Sequence, residues 1–204
     1  MDKLKFGFYW AASCGGCEIA VLDIDEAILQ VLEVAEVLFW PVAMDIKYSD
    51  VEAMPDKHMD VVFFNGGIRN SEQEHLAKLL REKTKYLVAF GSCAHTGGIP
   101  GLANLSNREE IFERVYKTSE STVNPEGHVP TTEVEVPEGT LTIPEFYDMV
   151  KPLDHIVDVD YYLPGCPPPA DLVLNAVNAI AAGELPPKGS ILSPVIYVFD
   201  ECPR

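Results

Sequence analysis

The chain has 204 residues, 47% hydrophobic and 23% charged, a balance that supports one sizeable folded core and excludes disorder as its main state. Its 15 Lys and Arg stand against 32 Asp and Glu, a formal net charge of −17, so its long-range field repels phosphate backbones and anionic lipid surfaces. That excludes a nucleic-acid binder, and no stretch reaches the roughly 18 uninterrupted apolar residues that would point to membrane insertion.

The opening Met1-Asp2-Lys3-Leu4-Lys5 leads straight into a strand pattern, without the profile of a signal peptide, so the expected localisation is cytoplasmic. That compartment is reducing, and the five cysteines are expected to serve metal binding, redox chemistry or packing rather than disulfides.

In chain order, Lys5 to Trp10 predicts a first strand, and the apolar spacing from Glu18 to about Glu33 predicts one helix. Val37 to Val42 and Asp60 to Asn65 predict two further strands, the second ending at Gly66-Gly67. Ser71 reads as the N-cap of a helix reaching about Thr84. Tyr86 to Phe90 and Ile156 to Leu163 predict a fourth and a fifth strand, and Ala170 to Ala182 a strongly patterned helix. The proline-punctuated stretch from Thr118 to about Leu153 reads as an excursion before the last strand. Short apolar strands separated by helices indicate an α/β fold, a flavodoxin-like doubly wound parallel sheet. The expected organisation is a domain over 1–190 and a C-terminal extension over 191–204.

Four cysteines fall just after predicted strands. Cys14 and Cys17 follow the first, Cys93 the fourth and Cys166 the fifth, each beside glycine. In a parallel sheet such loops share one edge, where ligands of open α/β sheets bind. Four thiolates meeting there can hold a metal centre, and the glycines allow close backbone approach. A four-cysteine set suits zinc and iron–sulfur alike, and a lone Cys-x-x-Cys also fits a dithiol redox motif.

Cys14-Gly15-Gly16-Cys17, Gly91-Ser92-Cys93-Ala94 with Gly97-Gly98, and Pro164-Gly165-Cys166-Pro167-Pro168 together resemble the small subunit of nickel–iron hydrogenases, in the same order and over nearly the whole chain. Phe64-Asn65-Gly66-Gly67-Ile68 followed by Ser71-Glu72 is similar to that family's third strand and loop. The resemblance implies one proximal 4Fe–4S cluster on Cys14, Cys17, Cys93 and Cys166 and an oxidoreductase role without catalytic residues of its own. Electrons from dihydrogen oxidation at a nickel–iron large subunit would pass through that cluster to further iron–sulfur or flavin subunits. Cys-Gly-Gly-Cys-Glu-Ile-Ala looks like the cytoplasmic, methyl-viologen-reducing type that works with heterodisulfide reductase in anaerobic metabolism. The cluster-bearing small subunit of respiratory complex I shares the second and third motifs but has adjacent cysteines at the first, where Gly15 and Gly16 intervene here. It remains an alternative, as do a four-cysteine zinc structural module and a flavin carrier.

The run Asp200-Glu201-Cys202-Pro203-Arg204 resembles the start of a second cluster domain, so the expectation is either part of a longer protein, the reading we favour, or a one-cluster form similar to the short small subunits of NAD-reducing hydrogenases. Phe199 stands where relatives place a ligand, and Cys202 is not assigned to the proximal cluster. Glu18 reads as an exposed helix-start carboxylate, with proton transfer near the large subunit as the alternative. His95 reads as a hydrogen-bond donor to the cluster or an interface residue, with a loop histidine in a structural bond as the equal alternative, and Ser92 and Thr96 as hydrogen-bond donors near the cluster. Phe6, Phe8, Tyr9 and Trp10 read as core and interface packing. Gly97-Gly98 lacks the Lys-Ser/Thr of a phosphate loop.

Overall fold

The computed structural model describes residues 3–192. Its centre is a parallel sheet of six strands built from β1 (Leu4–Trp10), β2 (Ala35–Phe39), β3 (Met59–Asn65), β5 (Thr84–Phe90), β9 (Tyr161–Leu163) and β10 (Ser190–Ile191), in the order β10-β9-β5-β3-β1-β2. The chain crosses from the β1/β2 side to the β3/β5 side at β1, the switch of direction found in flavodoxin-like folds. A short β4 (Ile68–Asn70) pairs antiparallel with β8 (Phe146–Lys151), and β6 (Glu133–Val136) with β7 (Gly139–Thr142).

Alternation along the strands divides the core in two. Phe6, Phe8, Phe63 and Phe90 face one layer, with α1 (Gly16–Leu22), α2 (Ala27–Val34) and α7 (Ala170–Ala182) over it. Tyr9, Phe39, Phe64 and Leu87 face the other, under α3 (Tyr48–Glu52), α4 (Ser71–Lys83) and α5 (Gly91–Thr96). The predicted α/β doubly wound class is the observed one.

Several elements differ from expectation. The helix over 18–33 is two helices, because Asp25 adopts φ 56° and the break turns Ile24 into the core. The second strand stops at Phe39, ahead of Pro41, which has no N–H for the ladder. Of the fifth strand only Tyr161–Leu163 pairs with the sheet. Ile156, Val157 and Val159 pack on the core without strand pairing, which their apolar run could not reveal. Asn70, not Ser71, caps α4: its side chain accepts the Gln73 N–H at 2.8 Å, and Gln73 returns the bond to the Asn70 N–H at 3.3 Å. The excursion contains the strands β6 to β8, and a short helix, α6 (Arg108–Phe112), precedes it. Phe199, Cys202 and most of the predicted extension lie outside the described residues. No helix among the described residues is long and apolar enough to cross a membrane.

Candidate metal centre

The site follows from strand register. Trp10 pairs with Asn65, Asn65 with Phe90, and Phe90 with Leu163, so four neighbouring strands end on one line. The loops that leave this line carry Cys14 and Cys17 after β1, Cys93 after β5 and Cys166 after β9. This is the carboxyl edge of the sheet, beside its switch in strand order, where open α/β sheets bind ligands.

Backbone bonds tie the loops together. Ser92 donates both its N–H and its hydroxyl to the Gly165 carbonyl, at 2.7 and 2.9 Å, joining the Cys93 loop to the Cys166 loop. Ala12 and Gly67 exchange two bonds of 3.0 Å, and Ala11 N–H reaches Asn65 O at 2.7 Å, joining the first loop to the end of β3. Gly15, at φ 81°, turns the chain into α1, and a Cβ there would stand 2.7 Å from the Trp10 ring. Gly91, at φ 82°, has the Cys17 sulfur against it: a Cβ would meet that atom at 2.3 Å. A Cβ on Gly98 would come within 2.9 Å of the Cys93 sulfur. These glycines form a cradle around the thiols that side chains would fill.

All four cysteines are free thiols, Cys17 and Cys93 buried and Cys14 and Cys166 exposed. Burial pushes the Cys17 thiol up to about 12, with Cys93, Cys14, Glu18 and Cys166 adding to the rise. Cys93 is also raised, by burial first and then by Cys166. Cys17 and Cys93 thus sense the charge of neighbouring thiols, and a cationic centre among the cysteines would reverse the effect and favour thiolates. The Gly16 N–H already points to the Cys14 sulfur at 3.4 Å. Among the described residues, no group of three or more His, Cys, Asp or Glu side chains is gathered tightly enough to hold a single metal ion.

Glu18 is not the exposed carboxylate expected. It is buried, its Oε2 accepts a bond from the Trp40 indole N–H, and its Oε1 has no hydrogen-bond partner among the described residues. Burial pushes its pKa up, against the pull of Trp40 and Asn65. Trp40 comes from the end of β2, a contact that no local spacing encodes. His95 packs on the Tyr162 ring, with centroids 4.5 Å apart. Thr96 Oγ donates to the Ser92 carbonyl at 3.0 Å, so the Ser92 and Thr96 hydroxyls both serve the backbone. Phe6, Phe8 and Tyr9 are core residues, whereas Trp10 is 41% exposed beside the first cysteine loop.

Sequence comparison places this geometry in a known context. The family described as "NADH ubiquinone oxidoreductase, 20 Kd subunit" matches residues 14–180, a span that begins at Cys14 and encloses Cys17, Cys93 and Cys166. The chain belongs to this family. Among similar proteins, the iron–sulfur subunit of the F420-non-reducing hydrogenase of Archaeoglobus profundus is 47% identical over 98% of the chain. The corresponding subunit of the F420-non-reducing hydrogenase of Methanothermobacter thermautotrophicus is 39% identical over 100% of it. The chain spans 63% and 60% of the lengths of those two relatives. In structure, a chain of an NAD+-reducing [NiFe]-hydrogenase in the H2-reduced state superposes with a TM-score of 0.76 at 29% identity, covering 89% of this chain and 93% of that one. The hydrogenase resemblance read from the motifs is borne out, and the family member has the flavodoxin-like fold expected of it.

Proposed function

We propose that this chain is the electron-transfer small subunit of a nickel–iron hydrogenase, with Cys14, Cys17, Cys93 and Cys166 holding one proximal 4Fe–4S cluster. The observation that carries the proposal is the register of β1, β3, β5 and β9, which brings four cysteines to one edge with glycine at the close approaches. The Cys17 and Cys93 thiols sense the charge of their neighbours, as cysteines sharing one centre would, and the choice of an iron–sulfur cluster over zinc rests on the hydrogenase likeness, one relative being named an iron–sulfur subunit.

A 4Fe–4S cluster, when bound, accepts and releases one electron at a time at a potential set by charge, burial and hydrogen bonds to sulfur. The chain supplies those settings. Cys17 and Cys93 anchor the buried side, while Cys14 and Cys166 face outward. Trp10, Ile19 and Leu22 flank the first loop, and Ile99, Leu102 and Leu105 follow the Cys93 loop, all exposed. Apolar groups bared around a cofactor edge suit a docking face, which we assign to the nickel–iron large subunit where dihydrogen is oxidised. Further iron–sulfur or flavin subunits, heterodisulfide reductase among them, would receive the electrons. Four free thiols suit the reducing cytoplasm. We assign residues 1–190 to the cluster unit and 191–204 to the start of a further segment, consistent with the greater length of the relatives.

The family description favours a second reading, a cluster subunit of a complex I-like assembly. Purification under anaerobic conditions with associated proteins tests both. The hydrogenase reading expects nickel in the co-purifying large subunit and about four irons per copy of this chain, as a cubane requires. Cys166→Ala should lower that iron content. Full iron in the variant, or zinc in place of iron, would refute the cluster assignment, and an iron-loaded assembly without nickel would favour the second reading.

A further inference from the structure

The hairpin β6–β7 takes no part in the cluster edge or in either core layer. Among the described residues its strands pair only with each other, through Glu133 with Thr142, Val134 with Leu141, Glu135 with Thr140 and Val136 with Gly139. Among the described residues no further strand pairs with either outer edge, and an isolated two-stranded hairpin is marginal in water. Alternation makes it two-faced. Glu133 and Glu135 point to one side, where Thr140 donates to Glu135 at 2.6 Å. Val134 and Leu141 form a cross-strand pair on the other side and are 48% and 56% exposed. Ile143, two residues beyond Leu141 and so on the same side, is 51% exposed and lines a groove of about 380 Å³ at the foot of the hairpin, with Ile111, Phe112, Val115 and Tyr116. A bare apolar strip thus continues from the hairpin into a groove.

Along the hairpin itself the charge has one sign, whereas the segment that forms the other wall of the groove carries Arg108, Arg114 and Lys117, with Arg108 paired to Glu145 at 3.7 Å and Lys117 to Glu113 at 3.0 Å. Residues 119–145 contain Glu120, Glu126, Glu133, Glu135, Glu138 and Glu145 and neither Lys nor Arg. Nucleic acid and anionic lipid are repelled by such a surface, and a second copy of the chain would bring the same carboxylates and the same net charge of −17. The surface is complementary to a different protein, one with an apolar ridge bordered by Lys and Arg.

We propose that the β6–β7 hairpin and the groove at its foot form a docking arm for a partner protein with a basic-rimmed apolar surface. The apolar strip supplies the contact area, and the carboxylates select the partner and speed the encounter. The proposal goes beyond the cluster reading and does not depend on it.

Amide hydrogen exchange tests it, comparing the free chain with the assembly that co-purifies with an affinity-tagged chain. Amides of Glu133–Val136 and Gly139–Thr142 should exchange at least about tenfold more slowly in the assembly than in the free chain. In Glu133→Lys/Glu135→Lys/Glu138→Lys the protection should disappear, and the partner should dissociate at lower salt than from the unaltered chain. Leu141→Ser should weaken the association without changing its salt dependence. Equal exchange in both samples, a tagged chain that purifies alone, or protection that arises from self-association of the free chain would each overturn the proposal. Iron per chain, measured on the same samples, reports separately on the cluster.

Discussion

Gly91→Ala is the sharpest single probe of the cysteine edge. The residue sits at φ 82°, and an added Cβ would lie 2.3 Å from the Cys17 sulfur. The left-handed backbone alone costs a non-glycine residue about 1–2 kcal/mol. Forcing a methyl group into packed surroundings costs a further ~1–3 kcal/mol. Gly183→Ala separates the two effects, because Gly183 has φ 71° and nothing within 4 Å of its added Cβ. The difference between the variants is therefore the clash with Cys17, about 1–3 kcal/mol, or roughly 2–4 °C in Tm per kcal/mol at this chain length. Denaturant or thermal unfolding of the metal-free chain measures it without the complication of a bound cofactor. Anaerobic reconstitution then tests the function: Gly91→Ala should bind less iron, because Cys17 is displaced, and Gly183→Ala should bind as much as the parent. Equal destabilisation of the two variants with full iron in both would refute the contact and the cradle built on it.

Other predictions reach the rest of the molecule. Burial would raise the Asp160 carboxyl, but Lys188, Arg81 and the Leu87 N–H together outweigh it and hold the pKa below the ordinary range; the Arg81 bond is 2.5 Å long. Asp160→Asn should thus cost about 3 kcal/mol at neutral pH. A lowered folded pKa gives stability that is present above the unfolded value near ~3.9 and lost as pH falls through the folded value. The gap between variant and parent should accordingly close in acid, and a pH-independent gap would refute the ion-pair explanation. Arg69 is buried over the Phe146 ring, 4.3 Å from its centroid, with none of its guanidinium nitrogens hydrogen-bonded among the described residues. Arg69→Met should therefore leave thermal stability unchanged or raised, and a loss of ~3–5 kcal/mol would instead reveal a buried partner. Ser92→Ala should cost about 1 kcal/mol while iron content is retained, because the Ser92 N–H still holds the Gly165 carbonyl. Loss of iron would place the hydroxyl on the cluster instead.

The sequence made the fold and the cysteine edge legible for a simple physical reason. Short apolar runs with glycine stops locate strand ends, and in a parallel sheet the ends alone determine which loops meet. Cys14, Cys17, Cys93 and Cys166 could be grouped without any knowledge of their side-chain contacts. Glu18 could not be placed, because its burial depends on Trp40, brought in from the end of β2. The division of the first helix depended on whether Ile24 turns inward, and that is decided by the core and not by local spacing. The β6–β7 hairpin was hidden because its alternation is short and proline-punctuated, and because it lies outside both core layers, so no core pattern marked it.

β3 gives the cysteine edge its shape although it carries no cysteine. It lies between β1 and β5 in the sheet, and strands neighbour one another at about 4.8 Å, so the first loop must cross the end of β3 to approach Cys93. Gly66 and Gly67 make that crossing possible. A Cβ on Gly66, at φ 103°, would lie 2.7 Å from the Ala11 backbone, and one on Gly67 would lie 2.7 Å from the Val150 side chain. The paired bonds between Ala12 and Gly67 then hold the first loop at that height. The Asn65-Gly66-Gly67 segment thus belongs to the site as its floor: it fixes where Cys14 and Cys17 stand, while the Gly165 carbonyl, held twice by Ser92, fixes Cys93 relative to Cys166. The site is two loop pairs, each locked by backbone hydrogen bonds, and Gly91, against the Cys17 sulfur, is where the two pairs meet.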